Sequence, residues 1–465
     1  MFSQRVEPWL PGWAARAVFY HIYPLGFFGA PRQNTGGEVV PRLAELRRWY
    51  DHIAGLGVNA IYIGPLFESG SHGYDTTDYL SVDRRLGDNA LLGQIVRELH
   101  ERKIKVILDG VFNHTGREFF AFRDIRQNHR SSAYTDWYHI NWGADSEFRD
   151  GFAYESWQGH QILPRLNLDN PDTRKYIFDV ARMWLGEYEL DGWRLDVAGD
   201  IAPGFWWEFR RECKAVNPDC FLLGEVYTGD YRTWVAPDLL DSGTNYLLYH
   251  TIDHVFNEGD LSPLRAVMER ACHPEFGLYK DLTLFNFIGN HDVTRILSQL
   301  KDAEDVFPAL ILLMTIPGIP SLYYGDEVGM MGRKNSDDSA LRKPMPAPDA
   351  AWPDRDHRLY SMIARLAGLR RDHPSLLYGS FTALDAGQGF LAYLRRHVRE
   401  NAIVALNSGS EPLSLTLPVA EEGLRDGVTF HDLLDPAAGP AVVAGGILTV
   451  PTVRPGWGRI LIADV

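Results

Sequence analysis

Cysteine is scarce in this chain of 465 residues, with three residues at positions 213, 220 and 272. The count is odd and no two of them form a C-x-x-C pair, which argues against a disulfide framework, a zinc knuckle or a thioredoxin-type site. We therefore expect three free thiols, as is usual for a protein in a reducing compartment.

Basic residues are also in short supply. Lysine and arginine total 46 against 61 aspartate and glutamate residues, so the formal net charge is −15. No basic stripe offsets this charge, and an acidic chain without one repels the phosphates of nucleic acids. The charge pattern therefore excludes nucleic-acid binding as the function.

The sequence offers no convincing membrane segment. The uncharged stretch from Val306 to Tyr324 is about as long as a transmembrane helix. Its prolines, Pro308, Pro317 and Pro320, divide it into a buried helix and a separate strand. The N-terminal segment MFSQRVEPWLPGW lacks the basic region and apolar run of a secretory signal. We expect a cytoplasmic protein that makes no membrane contact.

Short apolar runs alternate with amphipathic stretches, a pattern typical of βαβ units around a parallel sheet that is buried on both faces. The runs predict strands at residues 17–24, 59–66, 105–112, 192–197, 220–226, 244–250, 282–290 and 320–327. Eight strands with helices between them favour an α/β fold of the (β/α)8 TIM barrel type. The alternative, an open doubly wound sheet, does not need the eighth strand.

Two regions depart from this alternation. Residues 115–164 form a loop rich in tryptophan, tyrosine and asparagine, and a loop of that length is usually functional or a small subdomain. Residues 376–465 contain short alternating runs separated by turn residues, which predict an antiparallel β-sandwich. The chain thus divides into a barrel (1–114 and 165–375), an inserted domain (115–164) and a C-terminal β-sandwich (376–465).

Polar side chains lie at the C-terminal ends of the predicted strands, the face on which barrel enzymes build their sites. Asp196 and Glu225 end neighbouring strands. A close carboxylate pair suits a retaining glycosidase, in which one carboxylate attacks the anomeric carbon and the other protonates the leaving oxygen. Arg194 shares a strand face with Asp196 and can hold it ionised and oriented. The alternative is a buried ion pair that only stabilises the barrel.

Four sequence blocks around these residues resemble the α-amylase family of glycoside hydrolases, family 13. They are DGVFNH (109–114), GWRLDVAG (192–199), GEV (224–226) and IGNHD (288–292), in the family's order and each on the expected strand. HGYDTTDY (72–79) and LPRLN (163–167) extend the resemblance, which runs from about Val18 to the C-terminus. It implies a (β/α)8 barrel with a domain B inserted after the third strand, a C-terminal β-sandwich, and retaining hydrolysis or transfer at α-glucosidic bonds.

The resemblance also implies roles for single residues. Asp196 matches the family nucleophile, Glu225 the general acid and base, and Asp292 the carboxylate that stabilises the transition state. Tyr74 matches the tyrosine that stacks under the −1 glucose. The other implied substrate-binding residues are Asp109, His114, Arg194, Tyr227 and His291. For the histidines and tyrosines the alternative is a structural role in packing.

Two departures bear on the substrate. Gly199 and Asp200 stand where many α-amylases carry lysine and histidine, and LPRLN resembles the block of neopullulanases, cyclomaltodextrinases and maltogenic amylases. The aromatic-rich loop 115–164 is expected to wall one side of the site. The chain also begins almost directly at the first strand, so we expect no added carbohydrate-binding domain. The implied substrates are short neutral maltooligosaccharides or small cyclic α-glucans, cleaved at α-1,4 bonds, α-1,6 bonds or both.

No cofactor is required by this chemistry, but calcium and assembly stay open. Asn113 matches a family calcium ligand, yet calcium takes six to eight oxygen ligands and the sequence identifies no others. A bracing role for Asn113 is the alternative, and a homodimer is one alternative for the assembly. Two further functions stay open: a transglycosylase or glucoside isomerase on the same residues, and a non-catalytic interaction barrel, which the three carboxylates disfavour.

Overall fold

The computed structural model describes residues 9–348 and 354–464. Its strands are β1 (Phe19–Ile22), β2 (Ala60–Ile63), β3 (Phe67–Ser69), β4 (Thr76–Val82), β5 (Lys105–Gly110), β6 (Ile140–Asn141), β7 (Ala153–Tyr154), β8 (Gly192–Leu195), β9 (Phe221–Gly224), β10 (Ser242–Gly243), β11 (Phe285–Phe287), β12 (Ile319–Tyr323), β13 (Ser380–Gly387), β14 (Phe390–Arg396), β15 (Glu400–Asn407), β16 (Leu413–Pro418), β17 (Thr429–Asp432), β18 (Ala441–Ala444), β19 (Ile447–Val453) and β20 (Trp457–Asp464).

Its α-helices are α1 (Pro24–Phe27), α2 (Tyr50–Gly55), α3 (Asn89–Glu101), α4 (Phe120–Asn128), α5 (Pro171–Glu187), α6 (Pro203–Val216), α7 (Tyr246–Glu258), α8 (Ser262–Cys272), α9 (Ile296–Gln299), α10 (Val306–Thr315), α11 (Asp354–Asp372) and α12 (Pro374–Tyr378).

Eight parallel strands form the barrel, in the order β10, β9, β8, β5, β2, β1, β12, β11. A parallel bridge between Thr244 and Phe285 joins the two outer strands and nearly closes the sheet. Apart from Lys105, every residue of these strands is buried, because helices cover the outer face and side chains fill the interior. The predicted fold class is confirmed.

One predicted strand is wrong. Residues 244–250 were expected to be the sixth barrel strand, but that strand is β10, and α7 begins at Tyr246. The side chain of Asn245 accepts a hydrogen bond from Leu248 N at 3.1 Å, which caps the helix. The other seven predicted ranges each overlap an observed barrel strand.

The uncharged stretch that could have suggested a membrane segment lies inside the protein. All ten residues of α10 are buried, and Pro317 follows the helix before β12 begins at Ile319. In residues 9–348 and 354–464, no helix combines the length and the apolar character needed to cross a membrane.

Residues 115–164 leave the barrel after β5 and contain α4 and the hairpin of β6 and β7. The two ends of this segment lie together, since Thr115 N donates to Pro164 O at 3.0 Å and Leu166 N to Asn113 O at 2.9 Å. The segment therefore stands directly over the end of β5.

The C-terminal strands form an antiparallel sheet in the order β13, β14, β15, β20, β17, β18, β19, β16. The sheet folds over an apolar core of its own, to which Leu394, Ile403, Leu417 and Leu448 belong. It begins at Ser380 rather than at residue 376, because α12 extends to Tyr378. The domain boundaries stay predictions, and residues 1–8, 349–353 and 465 of the predicted ranges lie outside the described residues.

Candidate active site

The predicted carboxylates gather at the C-terminal edge of the barrel. Asp109 lies near the end of β5, Asp196 follows β8 directly, and Glu225 follows β9 directly. Asp292 lies five residues beyond the end of β11, in the loop that leaves that strand. The relative exposure of Asp109, Asp196 and Glu225 is 0%, 7% and 3%, so these charges sit in a desolvated pocket.

Arg194 binds three of these carboxylates. Its Nη1 donates to Asp109 Oδ1 at 2.9 Å and to Asp196 Oδ1 at 2.8 Å, and its Nη2 pairs with Glu225 Oε1. The strand register puts Arg194 beside Asp109, and the period of two puts it on the same face as Asp196. Because one rigid guanidinium binds both carboxylates, Asp196 and Glu225 lie side by side. In retaining glycosidases the two reacting carboxyl groups are about 5 Å apart.

The backbone after Asp196 helps to fix Glu225. Val197 N donates to Glu225 Oε2 at 2.9 Å, and Tyr246 Oη donates to Glu225 Oε1 at 3.3 Å. Val197 itself adopts a φ of 43°, in the left-handed region that a β-branched residue rarely occupies. Backbone strain of this kind concentrates at functional sites.

Burial raises the pKa of Glu225, and Asp292 raises it further, while Arg194 opposes both effects. Burial also raises the pKa of Asp196, against the opposing charge of Arg194. The single charge of Arg194 is shared among three carboxylates, so it does not cancel the effect of burial on the pKa of either Glu225 or Asp196. The adjacent pair therefore holds a proton to higher pH than free carboxyls do, which is the property that a general acid needs.

Asp292 has the opposite character. Loss of hydration raises its pKa, but His291 and Arg342 outweigh that effect and hold the pKa well below its usual range. His291 Nε2 lies 2.9 Å from Asp292 Oδ2, and Arg342 Nη2 donates to Asp292 Oδ1 at 2.8 Å. Asp292 is therefore a stable anion beside a pair that retains a proton.

Aromatic rings line the site next to Asp292. Tyr74 Oη donates to Asp109 Oδ2 at 3.0 Å and also contacts His291 Nε2. The rings of Tyr74 and His291 stack with their centroids 5.4 Å apart, and Tyr23 stacks on His291 at 5.7 Å. An aromatic face of this kind can pack against the C–H bonds of a sugar ring.

Three buried polar atoms of the predicted site have no hydrogen-bond partner: His114 Nε2, Tyr227 Oη and His291 Nδ1. Burial and, to a smaller extent, His72 lower the pKa of His114 to about 3, so His114 is neutral. The Tyr227 ring meets the Tyr246 ring edge to face at 5.8 Å, close to Glu225. These atoms can bond to sugar hydroxyls.

The site can be compared with known proteins. The model of the α-amylase catalytic domain matches residues 22–374. Neopullulanase 2 of Thermoactinomyces vulgaris is 34% identical over 477 residues, covering 97% of this chain and 78% of that protein. A cyclomaltodextrinase of Geobacillus thermopakistaniensis is 32% identical over 450 residues, covering 91% of this chain and 74% of that protein.

The chain belongs to the α-amylase family. It is a glycoside hydrolase of that family, as predicted, and not a non-catalytic interaction barrel. Among solved structures, the cyclic α-maltosyl-(1→6)-maltose hydrolase from Arthrobacter globiformis superposes with a TM-score of 0.81 at 29% identity. That match covers 98% of this chain and all of the other.

Some residues at this α-amylase-family site were not predicted. Arg342 binds Asp292 and also Asp338 Oδ2, at 3.3 Å, and its guanidinium lies 4.7 Å from the centroid of the Tyr23 ring. The sequence pattern predicts a strand at Tyr246 and so does not predict its contact with Glu225. One sequence signal could have indicated Arg342. Asp338 and Arg342 are four residues apart in the loop after the eighth strand, on the face where barrel enzymes build their sites.

No cluster of acidic side chains in the described residues supports the calcium site that the family resemblance suggests at Asn113. The contact of Asn113 Nδ2 with His114 Nδ1, at 3.2 Å, uses the amide nitrogen and not the oxygen that would bind calcium. Over the described ranges 9–348 and 354–464, no group of three or more His, Cys, Asp or Glu side chains is placed to hold a metal ion. We derive no catalytic step through a metal.

The Trp and Tyr side chains of segment 115–164 differ in burial, and Trp142 is half-buried against Phe152 and Arg130 within the segment. Trp137, Tyr138 and Tyr154 are buried within the protein. Trp157 is half-buried and stacks against His114, with the centroids 5.8 Å apart. Among these side chains it is therefore Trp157 that borders the predicted sugar-binding residues.

Proposed function

We propose that the chain hydrolyses small α-glucans, linear or cyclic, at α-1,4 bonds, α-1,6 bonds or both, with retention of configuration. The observation that supports this most is the set of Asp109, Asp196 and Glu225 around Arg194, with the anionic Asp292 close by. The names of two similar proteins refer to a cyclomaltodextrin and to cyclic α-maltosyl-(1→6)-maltose, which supports small glucans as the substrate class.

In the proposed reaction, a carboxylate oxygen of Asp196 attacks the anomeric carbon as the bond from that carbon to the glycosidic oxygen breaks. Glu225 gives its proton to the departing oxygen, so the leaving sugar departs as an alcohol. Glu225, now ionised, then takes a proton from water, whose oxygen displaces Asp196 and restores the free enzyme. The first step uses the form of the pair in which its one proton is on Glu225 and Asp196 is ionised, and the raised pKa of the pair supports retention of that proton near neutral pH.

We assign Asp292 to the transition state. A permanent anion stabilises the positive charge that develops on the sugar ring, and it accepts hydrogen bonds from ring hydroxyls. Tyr74 supplies a face for the same sugar, while His114 and His291 bond to its hydroxyls. Tyr227, next to the acid, contacts the sugar on the leaving side. Location in the cytoplasm and homodimeric assembly stay predictions from the sequence.

The test is product analysis with a panel of linear, branched and cyclic α-glucans, followed by proton NMR of the first product. We expect the α anomer to appear first, before mutarotation. Asp196→Asn should fold normally and lose about three orders of magnitude or more in turnover. Early release of the β anomer would overturn the double displacement, and an Asp196→Asn variant with near-normal turnover would remove the nucleophile assignment.

A further inference from the structure

The two carboxylate oxygens of Glu225 differ in the number of hydrogen bonds that they accept. Oε1 accepts from Tyr246 Oη at 3.3 Å and pairs with Arg194 Nη2. Oε2 accepts from Val197 N at 2.9 Å, and in residues 9–348 and 354–464 no second donor reaches it. A carboxylate oxygen has about two lone pairs, so those of Oε1 are both used and Oε2 keeps one free.

A chain of hydrogen bonds sets the direction of the Tyr246 hydroxyl. Asp292 N donates to Asn290 Oδ1 at 2.8 Å, which fixes the side on which the amide oxygen lies. The amide nitrogen, Nδ2, therefore faces Tyr246 and donates to its Oη at 3.2 Å. Because an N–H already points at its oxygen, the hydroxyl of Tyr246 directs its own hydrogen to Glu225.

Tyr246 is held in place by packing as well. The relative exposure of Tyr246 is 6% and that of Glu225 is 3%. The Tyr246 ring meets the Phe287 ring edge to face, with the centroids 5.0 Å apart. The hydroxyl thus contacts the acid in a desolvated place, where a hydrogen bond is stronger than in water and leaving it unmade is costly.

We propose that Tyr246 is a positioning residue that keeps the transferable proton of Glu225 on Oε2. The inference rests on the proposed function, in which Glu225 protonates the leaving oxygen. Arg194 does not release its protons and Asn290 directs the Tyr246 hydroxyl, so Oε1 accepts two hydrogen bonds whether Glu225 is ionised or protonated. The proton occupies the free lone pair of Oε2 and leaves with the glycosidic oxygen. It is replaced on Oε2 by a proton of the water whose oxygen displaces Asp196 from the anomeric carbon.

The other groups around the acid stay in place when Tyr246 is changed. The charged side chains that face Glu225 are Arg194 on β8, Asp196 directly after it, Asp109 on β5 and Asp292 in the loop after β11. Removing the tyrosine hydroxyl takes a donor from the ionised form of Glu225 alone. The pKa of Glu225 should therefore rise in such a variant.

The test compares Tyr246→Phe, which removes only the hydroxyl, with the wild-type protein. In the variant the proton can occupy either oxygen of Glu225, so we expect kcat/KM for maltotriose to fall about tenfold. For 4-nitrophenyl α-maltoside, whose leaving group needs little protonation, kcat/KM should change much less. The alkaline limb of the pH profile for maltotriose should move to higher pH.

Asn290→Ala tests the chain of hydrogen bonds behind Tyr246. Both substrates need Asp292, so the ratio of kcat/KM for maltotriose to that for the aryl maltoside cancels any disturbance of the loop that carries it. This ratio should fall less in Asn290→Ala than in Tyr246→Phe. The double variant should match Tyr246→Phe, because the amide acts only through the hydroxyl. Independent, multiplying effects in the double variant would contradict the chain.

Tyr249→Phe is the matched control. Tyr249 is a buried tyrosine of the same helix, but its hydroxyl bonds to Gln299 and to none of the carboxylates. It should keep the wild-type ratio and pH profile. Equal losses on both substrates in Tyr246→Phe, with an unmoved alkaline limb, would overturn the proposal. Failure of the wild-type protein to cleave either substrate overturns the proposed function instead.

Neutron diffraction from a crystal of the wild-type protein at mildly acidic pH locates the proton directly. We expect the deuterium of the Glu225 carboxyl on Oε2, and that of the Tyr246 hydroxyl directed at Oε1. A deuterium atom bonded to Oε1 of Glu225 overturns the proposal, whatever the kinetics of the variants.

Discussion

At the level of single residues, the pKa values of the four carboxylates depend on how the positively charged side chains are distributed among them. Arg194 alone binds Asp109, Asp196 and Glu225, while Asp292 has Arg342 and His291. Burial raises the pKa of the Asp196 and Glu225 pair because the charge of Arg194, shared among three carboxylates, does not offset it, whereas His291 and Arg342 outweigh burial at Asp292 and lower its pKa. The same barrel edge thereby holds a proton donor and a permanent anion a short distance apart.

The first residue-scale prediction concerns the acid. Glu225→Gln removes the proton donor, so unactivated maltooligosaccharides should lose about three orders of magnitude or more in kcat, whereas aryl glycosides with good leaving groups should lose much less. Because the raised pKa of Glu225 marks loss of its proton, wild-type kcat/KM on oligosaccharides should fall as pH rises through that pKa. In the variant this alkaline fall should disappear. Equal losses on both substrate classes would mean that Glu225 is not the acid.

Arg342 is the subject of a second prediction. Arg342→Met removes the charge that binds Asp292, and a hydrogen bond between charged groups contributes about 1.5–3 kcal/mol. We expect kcat/KM to fall about ten- to a hundredfold. Asp292 should also titrate at higher pH, so the acidic limb of the pH profile should move upward.

Lys343→Met is the control for this change. Its side chain is the next basic group along the loop, but its Nζ bonds to Met331 O and not to Asp292. It should keep the wild-type kcat/KM and pH profile. A wild-type profile in Arg342→Met would show that His291 alone holds Asp292 ionised.

Residue spacing made the strand-end residues predictable, because Arg194, Asp196 and Glu225 take their positions from a period of two and from the parallel sheet. Arg342 could not be found in this way. It lies 50 positions from Asp292, and its contact depends on how a long loop after β12 folds back over the barrel. The local spacing of residues carries no information about how a long loop folds back over the barrel.

At the level of elements, α7 shows where pattern reasoning fails. The run TNYLLYH contains aromatic and apolar residues that suit a strand, and seven residues are too few to distinguish the two periods. The longer window to Phe256 has buried residues at Leu248, Ile252 and Val255, a helical spacing, and Asn245 stands at the capping position. The prediction of a strand at residues 244–250 therefore missed the helix that carries Tyr246.

A prediction at this scale concerns the junction of α12 with the C-terminal sheet. His373 Nδ1 lies 3.1 Å from Glu400 Oε2, and the hydrogen bond that His373 donates to this carboxylate raises the pKa of His373. Its stabilisation is fully present below the unfolded pKa, about 6.5, and is lost as pH rises through the higher folded pKa. His373→Gln should therefore lower Tm by about 1–2 °C at pH 6 and by less at pH 9.

His397 provides a control of opposite sign. Burial lowers the pKa of His397, and Arg399 lowers it further, so protonation of this residue favours unfolding. His397→Gln should leave Tm near the wild-type value at pH 9 and raise it at acidic pH. If the Tm deficit of His373→Gln grew between pH 6 and pH 9, the ion pair with Glu400 would not be its cause.

At the level of the whole molecule, the barrel was predictable because alternation of buried strands and amphipathic helices repeats along the chain. The predicted barrel also implies closure with its sixth and seventh strands side by side, and the bridge between Thr244 and Phe285 joins them. Pattern could not, however, separate the aromatic residues of segment 115–164. Trp137 and Tyr154 are buried in the protein, while Trp157 reaches His114, and only the folded segment distinguishes them.

The position of Trp157 leads to a prediction about substrate size. The reacting carboxylates are buried, and Trp157 stands beside His114 at the edge of their pocket. A chain end or a small ring can reach such carboxylates more easily than an internal segment of a long polymer. We expect kcat/KM to be higher for maltotriose to maltohexaose, or for a small cyclic α-glucan, than for soluble starch.

Two tryptophan variants connect this preference to the wall of the site. Trp157→Ala should open the pocket and bring the two kcat/KM values closer together. Trp142→Ala should not, because Trp142 packs on Phe152, with centroids 5.2 Å apart, and on Arg130 within segment 115–164. A wild-type enzyme that prefers starch would refute the size argument while leaving the catalytic assignments intact. An unchanged preference in Trp157→Ala would mean that another part of the molecule limits chain length.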